Sequence, residues 1–224
     1  MTRLLMLVEG QSEEAFVKQT LAPWLAARRV FVQGPVVLWT RRMPAGGGYR
    51  GGVANWDQIR KNLSPLLADG DAWVTTLLDF YGLPEDVPGF AAHKGQGPAH
   101  EQVARVQAEV AMAFGHQPRF LPFLALHEFE AWMFAEPTVV STHFGSPAVA
   151  AKLAAEIPDP GGPEAINHGP ASHPKARLRK HCPSYKETSD GPTVLAKIGI
   201  PAIRARCPHF AGWLTRLEAL GAPA

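Results

Sequence analysis

Three apolar runs in this sequence end in acids. Leu4-Leu5-Met6-Leu7-Val8 leads into Glu9-Gly10-Gln11-Ser12-Glu13, Ala72 to Leu78 leads into Asp79, and Phe120 to Leu126 leads into His127-Glu128-Phe129-Glu130. Carboxylates converging from such runs make an oxygen-rich set suited to Mg²⁺ or Mn²⁺. Those ions polarise phosphoryl oxygens and activate water, and a pair of them stabilises both the attacking and the leaving oxygen of a phosphodiester. Glu9, Asp79 and Glu128 are the candidate catalytic acids, and Glu9, Glu13, Asp79, Glu128 and Glu130 the candidate metal ligands. The competing interpretation is that each acid is only the polar residue where a strand meets water.

Two basic segments would hold the substrate of such a site. Residues 41–52 carry Arg41, Arg42 and Arg50 with Tyr49 among glycines, a composition that grips phosphates and stacks on a base. Residues 173–186 carry Lys175, Arg177, Arg179, Lys180 and Lys186, with no acid until Glu187. These are candidate contacts to a DNA or RNA backbone. A solvated connector and a solvated charged face are the alternatives. Other chemistries fit less well: His127-Glu128 has Ala131 where a zinc peptidase needs its second His, no Gly-x-Ser-x-Gly elbow occurs, and the glycine-rich loop is not followed by Gly-Lys-Ser/Thr.

The elements that must position the acids follow from periodicity. A continuous apolar run reads as a strand buried on both faces, typical of parallel sheets. After the first, Ser12 is the expected N-cap of a helix over residues 12–29, with Pro23 as its fault. Val30 to Thr40 reads as a second strand interrupted at Gly34-Pro35. Helices over 54–68 and 98–115 separate the remaining strands, giving the order βαβαβαβ and a mainly parallel sheet with right-handed crossovers. Ligands of such sheets bind beyond the carboxyl ends of the strands, where these acids lie. From about Ala135 onward the pattern becomes short helical pieces. The expected division is an α/β domain over 1–135 and a helical C-terminal lobe with the basic segment over 136–224.

The chain has 224 residues, 46% of them hydrophobic, and a net charge of only +2, so affinity for nucleic acid must be local. Cys182 and Cys207 are too few for a disulfide framework or zinc cluster. No run approaches the roughly 20 apolar residues of a membrane span. The expectation is a cytoplasmic protein that does not engage membrane.

Val8-Glu9-Gly10-x-Ser12-Glu13, followed by an acid at a later strand end, resembles the Toprim domain of topoisomerases, primases and OLD-type nucleases. Thr75 to Pro84, Leu126 to Ala131, Ala165-Ile166-Asn167 and Cys207-Pro208-His209-Phe210 together resemble a family of Toprim-like bacterial proteins of unknown function, often encoded beside an ABC-type ATPase in phage-defence settings. The resemblance implies a Toprim-like α/β fold in which Glu9 is a general acid/base or metal ligand and Asp79 binds Mg²⁺. Two departures stand out. The Toprim Asp-x-Asp is here Asp79-Phe80-Tyr81, so Glu128 or Glu130 would replace the second acid. Relatives carry Pro-Ser-Lys-Arg where this chain has Pro174-Lys175-Ala176-Arg177, which leaves Arg177 as the expected catalytic cation. The function expected is a Mg²⁺-dependent nuclease, the effector of an anti-phage system with an ATPase partner; the alternative is a non-catalytic subunit that binds nucleic acid or a partner.

Overall fold

The computed structural model of the protein describes residues 1–42, 48–50, 52–166, 169 and 171–222, with backbone alone for 39–42 and 48–50. Strand β1 (Thr2–Val8) sends Leu4, Met6 and Val8 into one core and Leu7 into another. Burial on both faces is what its unbroken apolar run requires. Helix α1 (Gln11–Phe16) continues through a π-helical turn (Val17–Leu21) into α2 (Ala22–Ala26). Pro23 therefore does not end the helix. The Ala22 N–H bonds the Val17 carbonyl across five residues, and Pro23, lacking an N–H, falls in the first turn of α2 where no donor is needed.

The stretch expected as one second strand is divided. β2 (Val30–Val32) and β3 (Val36–Val37) both pair with β1, before and after Gly34 at φ 38°, whereas β4 (Trp39–Arg42) leaves to pair antiparallel with β5 (Gly48–Arg50). Helix α3 (Trp56–Leu67) starts where the Asn55 side chain accepts the Gln58 N–H, and leads to β6 (Trp73–Asp79). After α4 (Phe90–His93) and α5 (Ala99–Ala113), the last run forms two short strands, β7 (Phe120–Leu121) and β8 (Leu124–Ala125). Pro122 cannot donate to a ladder, so the strand breaks there. The Thr76 hydroxyl repairs the gap, accepting the Phe123 N–H at 2.8 Å and donating to the Phe123 carbonyl at 2.7 Å.

The main sheet is parallel, in the order β2-β1-β6-β7, with β3 beside β1 and β8 beside β6. From β1 the chain moves to one side for β2 and β3 and then crosses to β6 on the other. The junction of β1 and β6 is thus a switch point, where a parallel sheet opens a crevice at its carboxyl edge. Val8 is level with Leu77, and Asp79 with Ala125, so Glu9, Asp79 and the chain leaving β8 emerge together.

One face of the sheet is covered by α3 and α5, through Ile59, Leu63, Val103 and Val106. The opposite face is covered by α1 and by helices from the C-terminal part. These are a 3-10 helix (Phe129–Ala135), α6 (Pro137–His143), α7 (Ala148–Ala155), a 3-10 turn (Pro163–Ala165), α8 (Pro174–His181), α9 (Glu187–Arg206) and α10 (Pro208–Ala219). The chain is thus α/β, a mainly parallel sheet flanked by helices with a helical C-terminal part, as expected from sequence. Helix α9 lies along α1 and the 3-10 helix, and bends at Gly199 (φ 78°, ψ 155°), a conformation open to glycine. Val194, Ile203, Phe210 and Trp213 join Leu4, Met6 and Val8 in one continuous core. Both cysteines are buried free thiols, and among the described residues no helix is long and apolar enough to cross a membrane.

Candidate metal centre at the carboxyl edge of the sheet

Glu9, at the end of β1, turns toward β6. Its Oε2 accepts the backbone N–H of Asp79 at 3.0 Å, tying the two acidic strand ends together. Helix α1 is capped at Gly10, two residues before the expected cap. Glu13 reaches back to accept the Gly10 N–H at 2.8 Å, and Ser12 is buried inside the helix. A Cβ on residue 10 would stand 3.1 Å from that Glu13 oxygen, so the glycine keeps the carboxylate close. The structure therefore gives Glu13 a capping contact and a place among the acids at once.

Asp79 accepts the Phe129 N–H at 3.0 Å through Oδ1, which fixes the segment leaving β8. That segment turns at His127, a non-glycine residue at φ 64°, whose carbonyl receives the Tyr81 N–H at 2.9 Å. A left-handed residue is costly and is held here by its surroundings. The turn delivers Glu128 and Glu130 beside Asp79. Single oxygens of Asp79, Glu128 and Glu130 lie within 4.8 Å of one another.

The opposite wall comes from the C-terminal helices. Glu128 Oε2 accepts from His173 Nδ1 at 2.8 Å and from the Lys175 N–H at 3.0 Å. The Lys175 ammonium lies 3.0 Å from Glu187, 3.6 Å from Glu130 and 3.7 Å from Glu128. The Tyr185 hydroxyl donates to Glu130 Oε1 at 3.2 Å. Glu130 is fully buried, and its Oε2 has no hydrogen-bond partner. A buried carboxylate oxygen without a partner is costly unless a cation or proton arrives.

Packing so many acids together shifts their protonation. Burial, then the charge of Glu9, raises Asp79 well above the usual carboxylate range. The same two causes push Glu13 up to about 7. Burial raises Glu130 to about 8 against the pull of Lys175. Burial also raises Glu9, opposed by its bond from Asp79. For Lys175, burial pulls downward, but the charges of Glu130, Glu128 and Glu187 outweigh it and hold the ammonium charged. These groups share one electrostatic environment.

Of the five acids proposed as metal ligands, Asp79, Glu128 and Glu130 thus come within 4.8 Å of one another, and Glu9 and Glu13 lie close enough to act on their protonation. The structure treats the basic segment differently. Arg177 does not join the acids: it pairs with Glu156, which also takes Lys180 at 2.9 Å and His181 at 2.7 Å. Lys180, burial, His181 and Arg177 all act on that carboxyl, and the cations prevail, lowering Glu156 to about 2. Lys175, on the same helix, is the cation placed among the acids. Arg179, Lys180 and Lys186 remain on the surface. The side chains of Arg41, Arg42 and Arg50, and residue Asn167, lie outside the described residues. His173, Tyr185 and Glu187 were not singled out as site residues from sequence. The one signal for Glu187 was that it ends the basic run.

The donor set is oxygen-rich and suits a hard divalent cation. Octahedral Mg²⁺, at about 2.0–2.1 Å from each oxygen, sets neighbouring ligands about 3 Å apart and opposite ones about 4 Å apart. Oxygens of Asp79, Glu128 and Glu130, all within 4.8 Å of one another, are the ones that could close on such an ion.

Comparison with known proteins adds three findings. A family model described as "Domain of unknown function (DUF4276)" matches residues 8–218. Among solved structures, the C-terminal region of the Burkholderia pseudomallei OLD protein aligns over 99% of this chain and 100% of its own, at 17% identity and a TM-score of 0.45. No curated protein matches the chain.

Proposed function

Since the chain belongs to the DUF4276 family, whose description assigns no activity, we propose from the site itself that the protein hydrolyses nucleic-acid phosphodiesters with a divalent cation held by Asp79, Glu128 and Glu130. The observation that carries this reading is the buried carboxylate of Glu130, one oxygen of which has no partner, grouped with those of Asp79 and Glu128 at the switch point of a parallel sheet. A bound Mg²⁺ or Mn²⁺ would polarise the scissile phosphate and activate water.

The chain's own residues supply the rest. Glu9 orients the end of β6 through the Asp79 N–H and is the candidate to take or return a proton. His173 and the Lys175 N–H fix the rotamer of Glu128. The Lys175 ammonium offsets the acids that would otherwise repel a polyanion. Arg179, Lys180 and Lys186, exposed on and just after α8, are the cations of the basic segment that would meet a DNA or RNA backbone. The Toprim resemblance carries the wider proposal that the chain acts in anti-phage defence beside an ABC-type ATPase.

The test is cleavage of plasmid, linear DNA and structured RNA with Mg²⁺ or Mn²⁺, with Asp79→Asn alongside. We expect metal-dependent cleavage, reduced at least 10²-fold in the variant while its circular dichroism stays unchanged. Cleavage that persists in Asp79→Asn overturns the assignment. Metal-independent binding of nucleic acid without cleavage, with or without an ATPase, would instead identify a non-catalytic subunit.

A further inference from the structure

The chain leaves β6 through two aromatic residues whose rings go to different places. Phe80 is buried against Phe90, with centroids 5.3 Å apart, whereas Tyr81 is 36% exposed. Among the described residues the exposed large apolar side chains are Met1, Met112 and Tyr81. Met1 is the terminus and Met112 lies near the C-terminal end of α5, so Tyr81 is the one of them at the carboxyl edge of the sheet.

Contacts on three sides fix that position. The Tyr81 N–H bonds the His127 carbonyl at 2.9 Å, on the turn that delivers Glu128. A Cβ on the next residue, Gly82, would stand 3.9 Å from Glu9 Oε1, so the chain runs past that acid. The Tyr81 ring lies nearly parallel to that of His173, with centroids 5.1 Å and planes 18° apart, and His173 Nδ1 is 2.8 Å from Glu128 Oε2. Two residues of chain span at most about 7 Å, so Tyr81 stands beside whatever Asp79 holds. An ordered ring with an exposed part, set among acids suited to a phosphate-bound cation, is placed to meet what adjoins the phosphate.

We infer that Tyr81, backed by His173, is a stacking platform for a nucleobase beside the phosphate at the metal centre, and that the substrate is therefore an unpaired strand of DNA or RNA. This rests on the phosphodiester reading above and adds the class of its substrate. An aromatic ring stacks on the face of a base, and a base offers that face only where it has left the stack of a duplex. In a paired duplex the base faces are covered by their neighbours, and Tyr81 would meet only backbone. Stacking tolerates any sequence, since every base has a π-face, so the platform selects for strand state and leaves the order of bases unread. The exposed cations Arg179, Lys180 and Lys186, which follow His173 on and after α8, would track the backbone of the same strand.

The test is fluorescence anisotropy of labelled single-stranded DNA, single-stranded RNA and duplex DNA of mixed sequence with the full-length chain in Ca²⁺, for the wild type, Tyr81→Phe and Tyr81→Leu, with Tm measured for each. We expect the wild type and Tyr81→Phe to bind an unpaired strand more tightly than the duplex, the stronger of the two single-strand arms naming the polymer. Tyr81→Leu keeps an apolar side chain against His173 and loses the flat face, so it should bind the unpaired strand roughly 5- to 100-fold more weakly and the duplex as the wild type does. A wild type that prefers duplex, or a folded Tyr81→Leu that binds unpaired strands as tightly as the wild type, overturns the inference. If Mn²⁺-dependent cleavage persists alongside either result, the nuclease reading stands without it. Tyr81-dependent binding with no cleavage keeps the platform and removes the nuclease, and neither binding nor cleavage overturns both. The wild-type comparison of single strand with duplex decides the matter even where Tyr81→Leu does not fold.

Discussion

At the scale of single residues, the proposed metal reading turns on Glu130. Glu130 is fully buried with one oxygen unpartnered, and burial raises it to about 8. Glutamine at that position keeps the shape and removes the desolvated charge. Glu130→Gln is therefore expected to raise the stability of the metal-free protein above about pH 8, where the wild-type carboxyl would have to ionise in the core, and to abolish stabilisation by Mn²⁺. Thermal unfolding with and without the ion reads both effects. A metal-free variant less stable than the wild type would show that Glu130 serves the fold.

A pH dependence follows from the same residues. Glu13 and Glu130 titrate near 7 and 8 when folded, against an ordinary 4.5 in the unfolded chain. Between those values the folded chain holds more protons than the unfolded chain, so metal-free stability falls as pH rises from about 5 through about 8 and then levels. On the proposed reading a divalent ion would displace the proton of Glu130, so saturating Mn²⁺ should reduce the decline. Tm measured from pH 5 to 9 in chelator and in Mn²⁺ checks the sign. Metal-free stability that rises over this interval would contradict it.

At the scale of elements, the acids were legible and their partners were not. An apolar run ending in an acid reports a strand and its edge directly, and so Glu9, Asp79 and Glu128 could be read before the fold was known. Lys175 and Glu187 reach the centre through the packing of α8 and α9 beside the 3-10 helix, contacts more than forty residues away in sequence that periodicity does not encode. Local chemistry also subdivided strands that looked continuous. Pro122 breaks the last run, and Thr76, an unremarkable β-branched residue in sequence, replaces the missing ladder bonds. Valine there would strand a buried N–H and carbonyl of Phe123. Thr76→Val should destabilise the protein by about 1–3 kcal/mol and loosen the segment that carries Glu128, seen in denaturant unfolding and faster amide exchange at Phe123 to Glu130. Unchanged exchange there would mean the segment is held from elsewhere.

For the whole molecule, the alternation of strands and helices was sufficient to predict a parallel sheet, because only βαβ crossovers bury such strands on both faces. How the C-terminal helices close over that sheet was less legible, since their short pieces share a core with β1 that emerges only once the chain is folded. That closure is what makes the centre, bringing His173, Lys175, Tyr185 and Glu187 from one part of the chain onto Asp79, Glu128 and Glu130 of another.

The most direct test of a cation held at that meeting point is anomalous scattering from crystals of the protein soaked in Mn²⁺. The account predicts a peak within coordination distance of Asp79, Glu128 and Glu130. No peak at that site, or a peak bounded by other residues, would contradict it.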